Sequence, residues 1–312
     1  MSTEENFWDE KEIKNWSDVK ELEEVLFPPR RDSEKTDQQN SKKPKKKWVF
    51  RAEKVDQELK TNLEEKFDLN GVTDGDEKRK EERGIIRRFQ RKAALYLERE
   101  PDKDDILEWL AIMRHHEAPT RLLDWTYSFY IAVYFALAKN KEGVVWALDA
   151  STINTPKPIK EKIKNRESYQ RYEYLEKYFQ EKSDILGIRK EGDKLIDLAI
   201  ASYLIEHQFP CVYPVNPFRS NKRLSVQQGL FLMPGDITKS FAENLIETFG
   251  DFEETRKHLW RIRITPDTED RNEILEKLKD MNISNEALFP GLDGFAKSVG
   301  EGLAYPRKLE NT

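Results

Sequence analysis

The sequence predicts an α+β fold, with long polar helices and short scattered strands gathered around an apolar centre. Three observations predict it. Apolar residues recur at spacings of three and four over long stretches. Strand-like runs are brief and far apart, and one helix, Phe129–Lys139, is almost wholly apolar. The 312 residues suffice for one large domain or two modest ones. Hydrophobic residues make up 37%, charged residues 36% and aromatics 11%, so the aromatic share argues against global disorder and the charge belongs on polar helices and insertions.

A formal net charge of -5 gives no global basic signature, so any nucleic-acid contact has to come from a local patch. The single cysteine, Cys211, excludes an intramolecular disulfide and a cysteine-cluster metal site, and a reducing cytoplasm is the expected home. The opening MSTEENFWDE is acidic where a secretory leader is basic. The longest apolar run, Phe129–Ala138, falls short of the roughly 20 residues that span a bilayer. No membrane partner is expected.

Residues 10–27 place Ile13, Trp16, Val19, Leu22 and Leu26 at helical spacing, and Pro28 and Pro29 stop that helix. Residues 30–47 end in KKPKKK and read as a solvated linker, which makes 1–47 an N-terminal helix with a basic tether. Trp48-Val49-Phe50 reads as a short strand ending on Arg51. Helices are predicted over 56–67 and 76–99, separated by the turn signals Asn70-Gly71 and Asp74-Gly75. Within the second, Arg83, Arg87, Arg88, Arg91 and Lys92 crowd together without an intervening acid, and their i,i+4 pairs repel unless an anion lies nearby. Two readings stand side by side: a solvated face with Ile85, Ile86, Phe89 and Ala93 turned inward, or a groove for a phosphate-rich substrate.

Asp104 or Asp105 caps a helix through Arg114, which Pro119 ends, and Thr120–Thr126 is expected to be extended. Ser128 can cap the apolar helix, and Gly143 leads into a strand at 144–148. Residues 155–192 form a charged, tyrosine-rich insertion of helical character. A helix at Leu195–Ile205, a stretch punctuated by Pro210, Pro214 and Pro217, and a strand at Arg223–Met233 follow. The tail predicts a strand at His258–Ile264, a helix at Arg271–Met281 and a loop, LFPGLDG, at 288–294.

Several catalytic signatures are absent, among them the phosphate loop, GxGxxG, GxSxG and HExxH. The adjacent His115 and His116 point apart, so they do not make the i,i+4 pair of a helical metal site, and no metal is expected. What is left is a set of polar residues on extended segments: Arg51, then Thr120, Arg121, Asp124 and Thr126, then Gln227 and Gln228 before Gly229. An arginine, a hydroxyl and an amide brought together from three strands suit a dinucleotide or phosphorylated ligand. Arg121 and Asp124, set among Leu122, Leu123 and Trp125, read as a sheltered pair that fixes the core. Arg51 reads as functional, having no evident acidic partner nearby in sequence.

At these residues the chain resembles the FRG domain family of bacterial proteins, in the family's order from about Trp16 onward. Trp48-Val-Phe-Arg51 stands at its Phe-Arg-Gly signature, and RGIIRRFQRKAALYL (83–97) resembles its basic helix. Residues 114–137 match its Gln-His-x-Gly-x-Pro-Thr-Arg-Leu-Leu-Asp-Trp-Thr core. NKRLSVQQGLF (221–231) resembles its Arg-x-x-x-Gln-x-Gly-x-Phe element, and ILEKLKDMNISNEALFPGLDGFA its closing segment. The resemblance puts the domain at 48–312 and implies an ADP-ribosyltransferase-like split β core with helical insertions. The family occurs in bacterial toxin and phage-defence settings.

The resemblance therefore implies an NAD-dependent ADP-ribosyltransferase that acts on RNA or protein, restrained by an antitoxin protein. Arg51 and Gln227 would be catalytic, with His115, Thr120, Arg121, Asp124 and Thr126 joining Arg51 in binding NAD. The basic helix, through Arg83, Arg87, Arg88, Arg91 and Lys92, would meet nucleic acid. A non-catalytic nucleotide- or nucleic-acid-binding module is the alternative. Three positions depart from the pattern: Ala52 replaces the signature Gly, Arg114 the Gln before His115, and Glu117 the Gly of the same motif. Gln227 is no carboxylate and cannot be a general base. Either the acceptor needs little activation, or Glu117 or Glu53 supplies the base.

Overall fold

The computed structural model describes residues 6–28, 46–153, 161–164, 166, 168–185, 192–215 and 222–304. The linker at 30–45, Pro217, Asn221 and parts of the 155–192 insertion lie outside those residues. The fold is mixed, with a mostly antiparallel sheet and many helices. The strands are β1 (Asp9–Ile13), β2 (Trp48–Glu53), β3 (Leu123–Thr126), β4 (Gly143–Asp149), β5 (Val212–Val215), β6 (Gly229–Pro234) and β7 (Leu259–Ile264). They form one seven-stranded sheet in the order β1-β7-β4-β2-β3-β6-β5, and only the β1–β7 pair is parallel.

Pairing within the sheet is uneven. β2 and β4 share a full ladder from Trp48↔Asp149 to Glu53↔Val144, whereas β2 and β3 meet at one register pair, Phe50↔Thr126. The sheet parts beyond it.

The helices are α1 (Trp16–Leu26), α2 (Asn62–Leu69), α3 (Gly75–Ala93), α4 (Ile106–His115), α5 (Phe129–Leu137), α6 (Tyr169–Ile185), α7 (Gly192–His207), α8 (Lys222–Val226), α9 (Phe241–Phe249), α10 (Phe252–His258), α11 (Thr268–Asp280), α12 (Asn285–Leu288) and α13 (Leu292–Ala304). Short polar side chains begin most of them. Asn15, Thr61, Asp74, Asp105, Ser128 and Ser240 each accept a first-turn backbone N–H. α5 is apolar all round and lies almost entirely buried over β2 and β4. Its approach to β4 requires Gly143, because a Cβ there would sit 2.6 Å from the Ala136 carbonyl oxygen.

Two separate apolar cores occupy one face of the sheet. Phe50, Val145, Ala147, Ile262 and Ile264 pack with α1, α5 and α11 at the β1 end. Tyr213, Val215, Phe231 and Met233 pack with α3, α4, α6 and α7 at the β5 end. Between them, over β3, the same face carries Asp124 and Thr126, register partners of Phe231 and Phe50. The other face is a single layer built on Val49, Leu123, Trp125, Trp146 and Leu232 under α9.

Several expected boundaries move. The helix expected at 10–27 is two elements, because residues 9–13 pair with β7 and Asn15 starts α1 through a capping box with Asp18. Cross-strand pairing, which needs a distant partner, wins there over helical spacing. The helix expected at 56–67 begins only at Asn62, behind the Thr61 cap. α3 stops at Ala93 and not 99, since the N–H groups of Tyr96 and Leu97 turn back to the Ala93 carbonyl. The strand expected at 223–233 is the short helix α8 followed by β6. The loop expected at 288–294 runs from the end of α12 into α13.

Candidate functional site

A cavity of about 520 Å³ lies where the sheet parts, between the two cores. Its walls come from β2 (Phe50, Arg51, Ala52), β3 (Asp124, Trp125, Thr126), the end of α4 (Arg114, His115, Glu117) and α8 with its turn (Arg223, Leu224, Gln227). Phe135, Phe231 and Phe289 add apolar surface.

Arg51 is held from two sides. Its Nε donates to Glu53 Oε1 at 2.6 Å, and Nη1 donates to the Asp124 carbonyl oxygen at 2.8 Å. The guanidinium thus spans the gap where β2 and β3 no longer pair. Burial raises the Glu53 carboxyl above the usual carboxylate range although Arg51 pulls it down. Asp124 sends its side chain the other way and accepts from Arg114 Nε at 2.6 Å.

Thr126 fixes the opposite wall. Its hydroxyl donates to the Gln227 carbonyl oxygen at 2.7 Å and accepts the Ser128 N–H at 3.0 Å, at the start of α5. The Gln227 amide donates to the Leu288 carbonyl oxygen at 3.0 Å. Gln228, next in the turn, takes a left-handed backbone with φ 48°. Arg223, four residues before Gln227, is exposed, and its guanidinium lies 4.8 Å above the Phe289 ring. His115 is held below the usual histidine range by burial, with His116 and Arg223 adding to the effect and Asp124 opposing it. Glu117 follows α4 with φ 60° and is exposed.

Among the described residues no group of three or more His, Cys, Asp or Glu side chains is placed to hold a metal ion. None of their helices is long and apolar enough to cross a membrane.

The model of the FRG domain matches residues 46–144. The chain carries an FRG domain. No curated protein and no solved structure matches the chain. The match takes in β2, α2 to α5 and the first residues of β4, so the FRG segment supplies Arg51, Arg114, His115, Glu117, Asp124 and Thr126. The remaining wall, with Arg223 and Gln227, comes from beyond it.

Of the residues expected at the site, Arg51, His115, Asp124, Thr126 and Gln227 converge on this cavity. Thr120 and Arg121 do not line it. Arg121 does not pair with Asp124 either, since a three-residue spacing in an extended segment puts the two on opposite sides. It is fully buried and grips Glu82 of α3 through two nitrogens, Nε at 2.6 Å, with Nη1 on the Pro234 carbonyl oxygen at 3.2 Å. Thr120 is buried and accepts the Leu122 N–H at 3.3 Å. Arg51 does have an acidic partner nearby in sequence: Glu53 is two residues on, and alternate residues of a strand share a face. Nor does Arg51 end its strand, which runs on to Glu53. Gln227 and Gln228 stand in a turn and not on a strand.

Arg114, Glu117 and Arg223 belong to the site without having been expected as ligand-binding residues. Glu117 had been named as a candidate base, and Arg223 had a spacing that hinted at its place. Arg223 and Gln227 are four apart, a shared helical side that a strand reading scatters. The five cations of α3 lie on a different surface from this cavity, all exposed, and none has an ion pair among the described residues.

Proposed function

We propose that this FRG domain is an NAD-dependent ADP-ribosyltransferase with an ADP-ribosyltransferase-like split core, acting as a bacterial toxin or anti-phage effector on RNA or protein. The observation that carries the reading is the parted sheet. A cavity of about 520 Å³, within the usual range for a small-molecule site, opens at the single β2–β3 register pair. It joins three arginines to aromatic walls. The donor set suits NAD: Arg223, with no carboxylate partner among the described residues, fits a diphosphate, and the phenylalanine rings fit a flat base.

Bound NAD would supply an ADP-ribosyl group by loss of nicotinamide. Arg51 and Arg114, fixed by Glu53 and Asp124, preorganise positive charge at the gap without moving. Thr126 braces the turn that presents Gln227. Glu117, open to the cavity, takes the proton of an incoming acceptor, whereas Glu53 is buried behind Arg51. NAD is a substrate in this scheme, and the antitoxin expected from the resemblance would be a protein that covers the cavity.

A second reading, a non-catalytic nucleotide- or nucleic-acid-binding module, draws on the hydrogen bonds that Arg51, Thr126 and Gln227 spend on the fold itself. Labelled NAD, a bacterial lysate and the full chain separate the two. The transferase reading expects nicotinamide release and label on macromolecules, lowered about 100-fold or more in Glu117→Gln and strongly reduced in Arg51→Ala, Gln227→Ala and Arg223→Ala. Binding without release leaves the module, and neither binding nor release sinks both.

A further inference from the structure

Behind the C-terminal turn of α4 lies a second cavity, of about 820 Å³, between α2, α3 and that turn. Its floor is apolar: Ile85, Phe89, Ala93 and Met113, closed by Ala118 and Pro119. Lys66, Arg88 and Lys92 stand on its rim, exposed and without an ion pair among the described residues. Tyr96, 83% exposed, leans on its edge, an unusual degree of exposure for an aromatic ring with no ring partner among the described residues. The two cavities share one wall. His115 lines the first and His116 the second, and their rings meet edge to face at 4.9 Å.

We propose that this second cavity takes a base of a single-stranded nucleic acid whose backbone follows the cationic side of α3. This deepens the transferase reading, and it rests on that reading only in making the strand the acceptor. Charge decides the class of partner. A helix advances about 6 Å in four residues, so Arg88 and Lys92 form one row along α3, and Arg83, Arg87 and Arg91 form another. The second row lines a further cavity with Lys80 and Lys103, where six cations, Arg88 among them, outnumber the two carboxylates, Glu81 and Glu100. The positive surface therefore runs well beyond the apolar floor, as a phosphate backbone requires and a short acidic peptide does not. Phe89, Tyr96 and His116 offer ring faces, which accept any base, and Asn70 on the same wall, whose amide nitrogen donates to the Lys66 carbonyl oxygen, offers its side-chain oxygen to the edge of the base. His115 and His116 stand between a base seated there and the first cavity.

The test uses the full chain and a fluorescein-labelled oligoribonucleotide of mixed sequence, without NAD, followed by anisotropy over a range of salt. Affinity should fall with salt, with a log–log slope that loses about 1.4 in the double variant Arg88→Glu, Lys92→Glu, as expected for two lost phosphate contacts. Tyr96→Ala should weaken binding roughly tenfold and leave the slope in place. All three positions are exposed, so a folding defect does not mimic the result. Absence of binding, or binding indifferent to these substitutions, overturns the proposal. So does capture of a Glu- and Leu-rich amphipathic peptide that the RNA cannot displace. The two readings fail separately: nicotinamide release without RNA binding removes the acceptor site alone, and RNA binding without release removes the transferase alone.

Discussion

A guanidinium at zero exposure is tolerable only when its nitrogens find acceptors, and each of the three in Arg121 does. Glu82 takes two of them, and the carbonyls of Leu204, Pro234 and Gly235 surround Nη1. The pair ties α3 to the end of β6 and to α7, which positions the basic helix against the sheet. Removing one partner leaves a buried charge uncompensated. Arg121→Met is expected to cost about 3–5 kcal/mol, and Glu82→Leu a similar amount. The double variant should recover most of the loss, because two apolar side chains leave no charge unpaired. Urea unfolding of the three variants checks this, and a single variant within about 1 kcal/mol of the parent would contradict it. Glu117 makes a different point at the same scale. Its φ of 60° is a conformation that glycine adopts freely, so a carboxylate there is held against local preference at the mouth of the cavity.

At the scale of elements, α2 shows how a cap becomes a tertiary joint. Glu64 closes the capping box with Thr61 and also accepts the N–H of Phe241, the first residue of α9. Burial pushes its carboxyl up to about 7 against the pull of those two N–H donors. The folded state then holds a proton that the unfolded chain releases near its ordinary value of 4.5. Stability from this group is therefore full below that value and declines as pH rises towards 7, by at most roughly 3 kcal/mol. Glu64→Gln keeps the acceptor oxygen and cannot ionise. Its unfolding free energy should fall less steeply than the parent's from pH 4.5 to 7, in urea titrations at several pH values. Identical slopes would rule the assignment out.

Taken as a whole molecule, the sheet joins distant parts of the chain. β1 pairs in parallel with β7 and buries Ile13, so residues 9–13 cover an edge otherwise left open beside Trp260 and Ile262. A chain lacking residues 1–14 should lose several kcal/mol and associate through β7. Thermal melting and sedimentation at rising concentration would report both, and an unchanged melt with a monomeric mass would refute the role given to β1. The same view explains the cavity. Two cores on one face of the sheet cannot merge over β3, because Asp124 and Thr126 put polar side chains between them. The cleft is the result.

Much of this was legible in the chain alone. Caps at Asp105 and Ser128, the apolar α5 and the strand around Val144–Leu148 follow from local rules that need no distant partner. The motifs within residues 46–144 identified the FRG domain, and Arg51, His115, Asp124, Thr126 and Gln227 were named and do meet in one cavity. Misread were the features that only pairing decides. Residues 9–13 carry a helical spacing and become a strand because β7 offers an edge. Arg121 looked like the mate of Asp124, yet each found a better-placed partner, Glu82 on α3 and Arg114 on α4. By itself, then, the sequence determined the α+β class, the family and most of the residues at the site, since these rest on periodicity, capping and motif order. Tertiary structure alone decided who pairs with whom, where the sheet parts, and that Arg223 and Glu117 share the cavity, because buried charges choose partners by geometry in space and not by distance along the chain.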